Sequence, residues 1–432
     1  MKKFDYAIIG NSAGGIGCLE NLRNLDRDAS IALISDEGYH TYSRALIPYY
    51  LDGKIKLDKM YYRDQDFYEK MSVTPYLGKR VSSIDFDNKT LQFEDGDKIQ
   101  YGKLLLATGG EPFVPPIEGI DKKRSFTFVK MDDVLGIKDA LKSVERAVVL
   151  GGGVIGLMVA EVLKNKGLEV IVVELMDRVL APVVDETTSR IVEDIFRENG
   201  VKILTKNTIN KVLGEDQVEG VILQDGTEIP ADMLVAGIGV RPRIGLVKDT
   251  EVEVNRGIVV DKRMQTSVED VYACGDCAEV YDFLAEDNRP LPLWPIAYKG
   301  GRIAAYNMCG IDREYDQATA MNAMHFFGYY IINAGLNVTE EDEDKYEVIK
   351  KFDEDNRVYR KFVLYNGKIV GMILAGEVDR AGVILNLMRN GVDVSSFKER
   401  LLDNHFGYAD MPEDVRWRLL HDDVVLGVVR EQ

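Results

Sequence analysis

Cysteine, histidine and tryptophan are scarce in this chain of 432 residues, which has four, four and two of them. Four cysteines cannot staple a chain of this length and fit a reducing compartment. His40, His325, His405 and His421 have no metal-ligand spacing among themselves or with the cysteines, so no metal bound directly by this chain is expected. Long apolar runs are missing too. Ala147 to Leu150 and Val170 to Val173 fall far short of the ~20 residues a membrane span needs, and the opening MKKFDYAIIG has no signal-peptide apolar region. No membrane association is expected, and the sequence reads as cytoplasmic. Positive charge is in deficit, with 54 Lys and Arg against 72 Asp and Glu for a net charge of −18. That argues against nucleic acid or an anionic membrane as main partner and leaves room only for a local basic docking patch. With 46% hydrophobic residues there is material for two or three domain cores.

What the sequence does contain is an internal repeat. Residues 4 to 10, FDYAIIG, read as a buried parallel strand running into glycine. Gly15 to Leu25 has helical spacing, and Ser30 to Ser35 is a second strand closed by Asp36. The order recurs with Arg146 to Leu150, the turn GGGVIG, a helix through Lys164, and Leu168 to Val173 closed by Glu174. Two such units predict two nucleotide-binding α/β domains.

In the second turn Gly151, Gly153 and Gly156 stand in GxGxxG register. The first glycine serves the tight turn, the second lets backbone approach a pyrophosphate, and the third allows close helix packing. The helix start adds unpaired N–H groups for phosphate, and Glu174 stands where a carboxylate accepts ribose hydroxyls. The first turn, GNSAGG, is less regular: Gly10 and Gly15 fit, but Ser12 takes the place of the middle glycine. Asp36 is then a candidate for a ribose, with a plain α/β turn as the alternative.

Between the repeats, residues 101 to 119 give a strand and a Pro/Gly-rich crossover. A further strand is expected over Asp232 to Ile238, followed by GVRPRIG and by DVYACGDCAEV at 270 to 280. From about residue 321 the pattern turns to hairpin strands, Glu347 to Phe352, Arg357 to Leu364 and Lys368 to Ala375, with a turn at Asn366-Gly367 and helices after them. The acidic run at 339 to 345 reads as an exposed loop. The expected fold is α/β, with two Rossmann-like domains and a C-terminal α+β domain. Residues 1–112 with 247–320 form the first domain, 113–246 the second and 321–432 the third.

With these residues in place the chain resembles the FAD-dependent pyridine nucleotide–disulfide oxidoreductase superfamily over nearly its whole length. Four ordered motifs carry the resemblance: GNSAGG with Asp36, ATGG at Ala107 to Gly110, GGGVIG with Glu174, and DVYACGD at Asp270 to Asp276. It implies FAD as cofactor and NAD(H) as co-substrate. The FAD pyrophosphate falls to Gly10, Ser12, Ala13 and Gly15, its ribose to Asp36 beside Glu37, and its ribityl chain to Asp276, with Gly275 allowing close approach. Ala107, Thr108 and Gly109 cover the adenine side. Gly151, Gly153, Val154, Ile155, Gly156, Glu174 and Gly239 take NAD. Around Arg44 the segment YSRALIPYYLDGK looks like the branch of NADH:rubredoxin reductases and apoptosis-inducing factor, in which that arginine contacts FAD phosphate; an exposed salt bridge is the alternative. The family also places the start of the helix at Leu293, Trp294 and Pro295 against the flavin, although Trp294 reads equally as a core aromatic. The C-terminal domain often forms a dimer interface in the family, which makes a homodimer one arrangement to expect.

Departures from the family narrow the function. Ala45 stands where one branch keeps a single redox cysteine, and Ala13 where peroxidases and many oxidases have a histidine in the first loop. Cys274 and Cys277 flank the Gly-Asp of the FAD motif and read as structural, as do Cys18 and Cys309. Met158 replaces a glutamate, and Pro48 or Tyr49 a lysine, that many relatives pair near the flavin. No catalytic side chain is named, since flavin and nicotinamide carry the chemistry themselves. The expected activity is electron transfer between NADH and a one-electron iron–sulfur carrier, rubredoxin, ferredoxin or a bound ferredoxin-like subunit. An oxygen-consuming NADH oxidase and an NADH-sensing flavoprotein that recruits a partner are the alternatives.

Overall fold

The computed structural model describes residues 1–338 and 344–421. Residues 339–343 of the expected acidic loop and 422–432 of the tail lie outside the described residues. Two compact units emerge: residues 1–177 with 200–319, and residues 178–199 with 320–432.

The first unit holds both strand–glycine turn–helix repeats. The strands Val73–Leu77, Ile31–Ser35, Lys2–Ile9 and Lys98–Leu106 lie side by side in parallel. Their apolar runs are buried, as in Ile31–Ser35 where every residue is enclosed, the mark of a sheet covered on both faces. Lys98–Leu106 is long enough for two partners beyond Lys2–Ile9. Its first half pairs antiparallel with Thr90–Phe93, and its second half parallel with Val271–Ala273. By this pairing a segment distant in sequence returns to the first sheet and brings Gly275 and Asp276 to its carboxyl edge.

The second sheet is parallel throughout, in the order Lys202–Leu204, Glu169–Val173, Arg146–Leu150, Met233–Ala236, Ser125–Thr127. At its amino edge Asp232 accepts hydrogen bonds from the Arg146 N–H at 3.0 Å and the Arg146 guanidinium at 2.7 Å. The strand expected over Asp232 to Ile238 is shorter, Met233–Ala236, with a last ladder bond from the Gly237 N–H to Leu150 O. A two-stranded antiparallel ribbon pairs Gly110–Pro112 with Val240–Pro242, and the Arg241 guanidinium stacks 3.6 Å from the Phe113 ring centre. Among the described residues no helix is long and apolar enough to cross a membrane.

The second unit is built on a five-stranded antiparallel sheet, in the order Met321–Phe326, Tyr329–Gly335, Lys368–Ala375, Val358–Tyr365, Glu347–Asp353. Asn366 and Gly367 both have positive φ, 50° and 75°, the geometry of a tight hairpin turn. The strand expected from Arg357 begins at Val358, since Arg357 itself sits in the preceding turn with φ 51°. The helix Glu186–Glu198 belongs to this unit. Asp185 caps it by accepting the Thr188 N–H at 3.1 Å, and its other oxygen accepts the Tyr359 hydroxyl at 2.7 Å. Phe196 on the same helix packs against Phe326 and Phe327.

Candidate functional site

The first glycine turn is locked by contacts that admit no side chain. A Cβ on Gly10, whose φ is +134°, would lie 2.0 Å from Ala107 O, and one on Gly15 would lie 1.9 Å from Gly10 O. The turn is thereby pressed against the 107–110 loop, and the helix Ala13–Leu25 starts directly from it. Ser12 is the N-cap residue, yet its side chain makes no capping bond, so the first-turn N–H groups, Ala13 among them, remain donors for an anion.

Two further segments close on the same place. Cys274 donates its N–H to Leu106 O at 3.1 Å, and a Cβ on Gly14 would meet the Cys274 sulfur at 2.8 Å. The Gly275 α-carbon faces Ala297, in the first turns of the helix Trp294–Met308. Leu293 is the N-cap residue of that helix and Pro295 lies in its first turn. Gly10, Ser12, Ala13, Gly15, Ala107 to Gly109, Gly275, Asp276 and Leu293 to Pro295 are therefore brought together from four distant parts of the sequence. Trp294 is half-buried, with the Tyr62 ring edge-on at 5.0 Å.

Charged groups line the carboxyl edge of Ile31–Ser35. Asp36 accepts a hydrogen bond from Arg243 at 2.7 Å, with Lys130 at 3.6 Å. Burial pulls the Asp36 carboxyl upward, but Arg243 and Lys130 outweigh it and hold the carboxyl below its ordinary value. Glu37 pairs with Arg44 and also accepts the Tyr42 hydroxyl at 2.7 Å. Arg44 donates in addition to Val129 O at 3.0 Å. The Asp276 carboxyl is raised by burial, and the charge of Arg44 opposes the rise. Arg243, Lys130 and Tyr62 were not singled out from the sequence. Arg243 has a local signal in GVRPRIG but no spacing rule to connect it to Asp36.

The second turn repeats the first. A Cβ on Gly156 would lie 1.9 Å from Gly151 O, and Gly151, with φ +110°, is packed against Gly237 O. Gly153, by contrast, has nothing within 4 Å of the position a Cβ would take, and neither has Gly239. The second sheet's Glu174 accepts the Gly152 N–H at 2.5 Å and the Met176 N–H at 2.7 Å. Val154 and Ile155 open the helix and are half-buried, as is Met158 one turn on.

Ala45 is exposed, whereas Pro48 and Tyr49 are half-buried. None of the four cysteines occupies these positions, and all four are free thiols, with Cys274 against the first glycine turn. Cys274 and Cys277 are fully buried, and burial pushes both thiols up. The Cys277 thiol donates to Cys274 O at 3.3 Å. Among the described residues no group of three or more His, Cys, Asp or Glu side chains could hold a metal ion.

These residues fit a dinucleotide at each turn: uncapped N–H groups at a helix start and a strand-end carboxylate, with open space before Gly153 at the second. FAD, when bound, would accept the two electrons of a hydride from NAD(P)H and pass them on to an acceptor. The chain's part is to bind, orient and shield it.

Residues 4–301 match the pyridine nucleotide-disulphide oxidoreductase family, and residues 321–392 the rubredoxin NAD+ reductase C-terminal domain. A nitrite reductase [NAD(P)H] of Bacillus subtilis is 32% identical over 91% of this chain, which spans 48% of that protein. The epsilon subunit of the NADH-dependent phenylglyoxylate dehydrogenase of Aromatoleum evansii is 29% identical, over 96% of this chain and 98% of its own length. An NADH oxidase of Methanocaldococcus jannaschii is 33% identical over 71% of this chain and 70% of its own. Among solved structures, putidaredoxin reductase in covalent complex with putidaredoxin has a TM-score of 0.85 at 25% identity, covering 97% of this chain and 99% of that one. NADH:rubredoxin oxidoreductase of Clostridium acetobutylicum has a TM-score of 0.74 at 25% identity, covering 92% and 97%. With both turns in place and the family matched across most of its length, the chain belongs to the pyridine nucleotide-disulphide oxidoreductases, enzymes that use FAD and NAD(P)H.

Proposed function

We propose that the protein passes electrons between NADH and a small one-electron iron–sulfur carrier of the rubredoxin or ferredoxin type, through FAD and without a redox disulfide. The observation that carries this reading is Ala45. At the position where relatives place a redox cysteine this chain has an exposed alanine, and its four cysteines are elsewhere. A buried thiol pushed above its ordinary range is a poor nucleophile, which leaves the flavin itself to hand the electrons on to the acceptor. The rubredoxin-reductase type of C-terminal domain and the likeness to putidaredoxin reductase support the same partner class.

In this reading residues 1–112 with 247–320 bind FAD, using the first turn, Asp36, Glu37, Arg44, the 107–109 loop, Gly275, Asp276 and residues 293–295. Residues 113–246 bind NAD(H), using the second turn, Glu174 and Gly239, and the enzyme works in the cytoplasm. Steady-state oxidation of NADH with rubredoxin, ferredoxin and oxygen as acceptors tests it, and the iron–sulfur carriers should turn over faster. The likeness to an NADH oxidase favours oxygen as the second reading. Oxygen supporting turnover as fast as every carrier, at equal driving force, would replace the first with the second.

A further inference from the structure

Arg243 lies outside every nucleotide motif, yet both its backbone and its side chain are bonded to residues of the first site. Its N–H donates to Gly109 O at 3.0 Å, and its carbonyl accepts the Thr108 hydroxyl at 2.8 Å. Both backbone groups are thus fixed to the 107–110 loop, and the antiparallel ribbon of Val240–Pro242 with Gly110–Pro112 extends the attachment. From this anchor the guanidinium reaches Asp36 at 2.7 Å, and the two side chains are about equally enclosed, 24% and 25% exposed.

We infer that Arg243 retains FAD by holding the Asp36 carboxylate in place for the adenosine ribose. The inference rests on the reading of Asp36 as the ribose residue. Without Arg243 the one cation left facing Asp36 among the described residues is Lys130, at 3.6 Å. The contact does not compete with the ribose, because an ionised carboxylate offers about four acceptor sites and one guanidinium nitrogen uses only one of them. A charge-assisted bond of this kind is worth enough to change affinity by about tenfold or more.

The test follows FAD leaving the holoenzyme after dilution, read as the return of free-flavin fluorescence, in the wild type, Arg243→Gln, Arg243→Lys, Asp36→Asn and the double variant Asp36→Asn with Arg243→Gln. Arg243→Gln should release FAD about tenfold faster, and Arg243→Lys should recover most of the loss because it restores the charge. Added salt should narrow the gap between wild type and Arg243→Gln. The double variant should release FAD no more than about twofold faster than Asp36→Asn alone, since the two residues act as one unit. Release from Arg243→Gln within about twofold of wild type, with Asp36→Asn fast, overturns the role of Arg243 and leaves the ribose assignment standing. Unchanged release from both single variants overturns the ribose assignment and this inference together. Arg243→Lys as fast as Arg243→Gln, with both unfolding at lower temperature, would make the arginine a structural anchor and also overturn the inference.

Discussion

Glu174 and Gly152 are joined by a short hydrogen bond, the backbone N–H of the glycine donating to the carboxylate at 2.5 Å. The other oxygen accepts the Met176 N–H, so this acid is held by the turn it is proposed to serve and is oriented before any ribose arrives. Glu174→Ala removes the partner of two backbone donors together with the charge that repels a 2′-phosphate. Hydrogen bonds to a charged group are worth about 1.5–3 kcal/mol, so KM for NADH should rise ~10- to 100-fold. NADPH should lose less. An unchanged ratio of kcat/KM for the two nucleotides would show that Glu174 does not touch the ribose.

The glycines of the second turn should separate fold from function. Gly156→Ala forces a Cβ to within 1.9 Å of Gly151 O, a clash with backbone that cannot yield, so thermal unfolding should fall sharply or the protein should fail to accumulate. Gly153→Ala meets nothing within 4 Å, and its stability should stay within about 0.5 kcal/mol of wild type. Its KM for NADH should nevertheless rise, because the methyl group would stand where the pyrophosphate approaches. Normal NADH kinetics in Gly153→Ala would move the dinucleotide away from this turn.

Thiol reactivity should follow burial. Cys18, Cys274 and Cys277 are buried and Cys309 is partly exposed, and burial raises all four thiols. In the native enzyme iodoacetamide should label at most the one partly exposed cysteine, and all four after denaturation. Rapid native labelling of Cys274 or Cys277, with loss of flavin reduction by NADH, would show a working thiol beside the cofactor.

The Asp232 carboxyl is pushed down to about 2, first by the hydrogen bond from Arg146 and then by backbone N–H donors, against the pull of burial. A carboxyl lowered on folding stabilises the protein above its unfolded value and ceases to do so as pH falls through its folded value. Asp232→Asn should therefore cost about 1 kcal/mol near neutral pH, a modest figure because solvent screens the pair. The gap from wild type, read from urea midpoints, should shrink from about pH 4 downward toward 2. A gap independent of pH over that range would mean that the ion pair contributes nothing.

The two turns were legible in the sequence because their glycines are dictated by sterics that leave no other residue room, as at Gly10 against Ala107 and Gly156 against Gly151. The strands between them were legible because a sheet buried on both faces demands unbroken apolar runs. The contact of Arg243 with Asp36 follows no such rule. It spans 207 residues and depends on how a ribbon after the second sheet returns to the first. The tie between Tyr359 and Asp185 was hidden for the same reason, and with it the grouping of Glu186–Glu198 with the C-terminal sheet. Tyr62 beside Trp294 is a third case, since aromatic pairs across loops have no sequence period.

The most direct measurement of the central claim is an anaerobic titration of the purified holoenzyme with NADH, following the flavin absorption band. If the flavin is the sole two-electron centre, about one NADH per FAD should bleach the band, with no long-wavelength thiolate-to-flavin absorption, and further NADH should remain unoxidised. Uptake of about two NADH per FAD, with a charge-transfer band that disappears when Cys274 and Cys277 are replaced, would reveal a disulfide in the electron path and contradict the account.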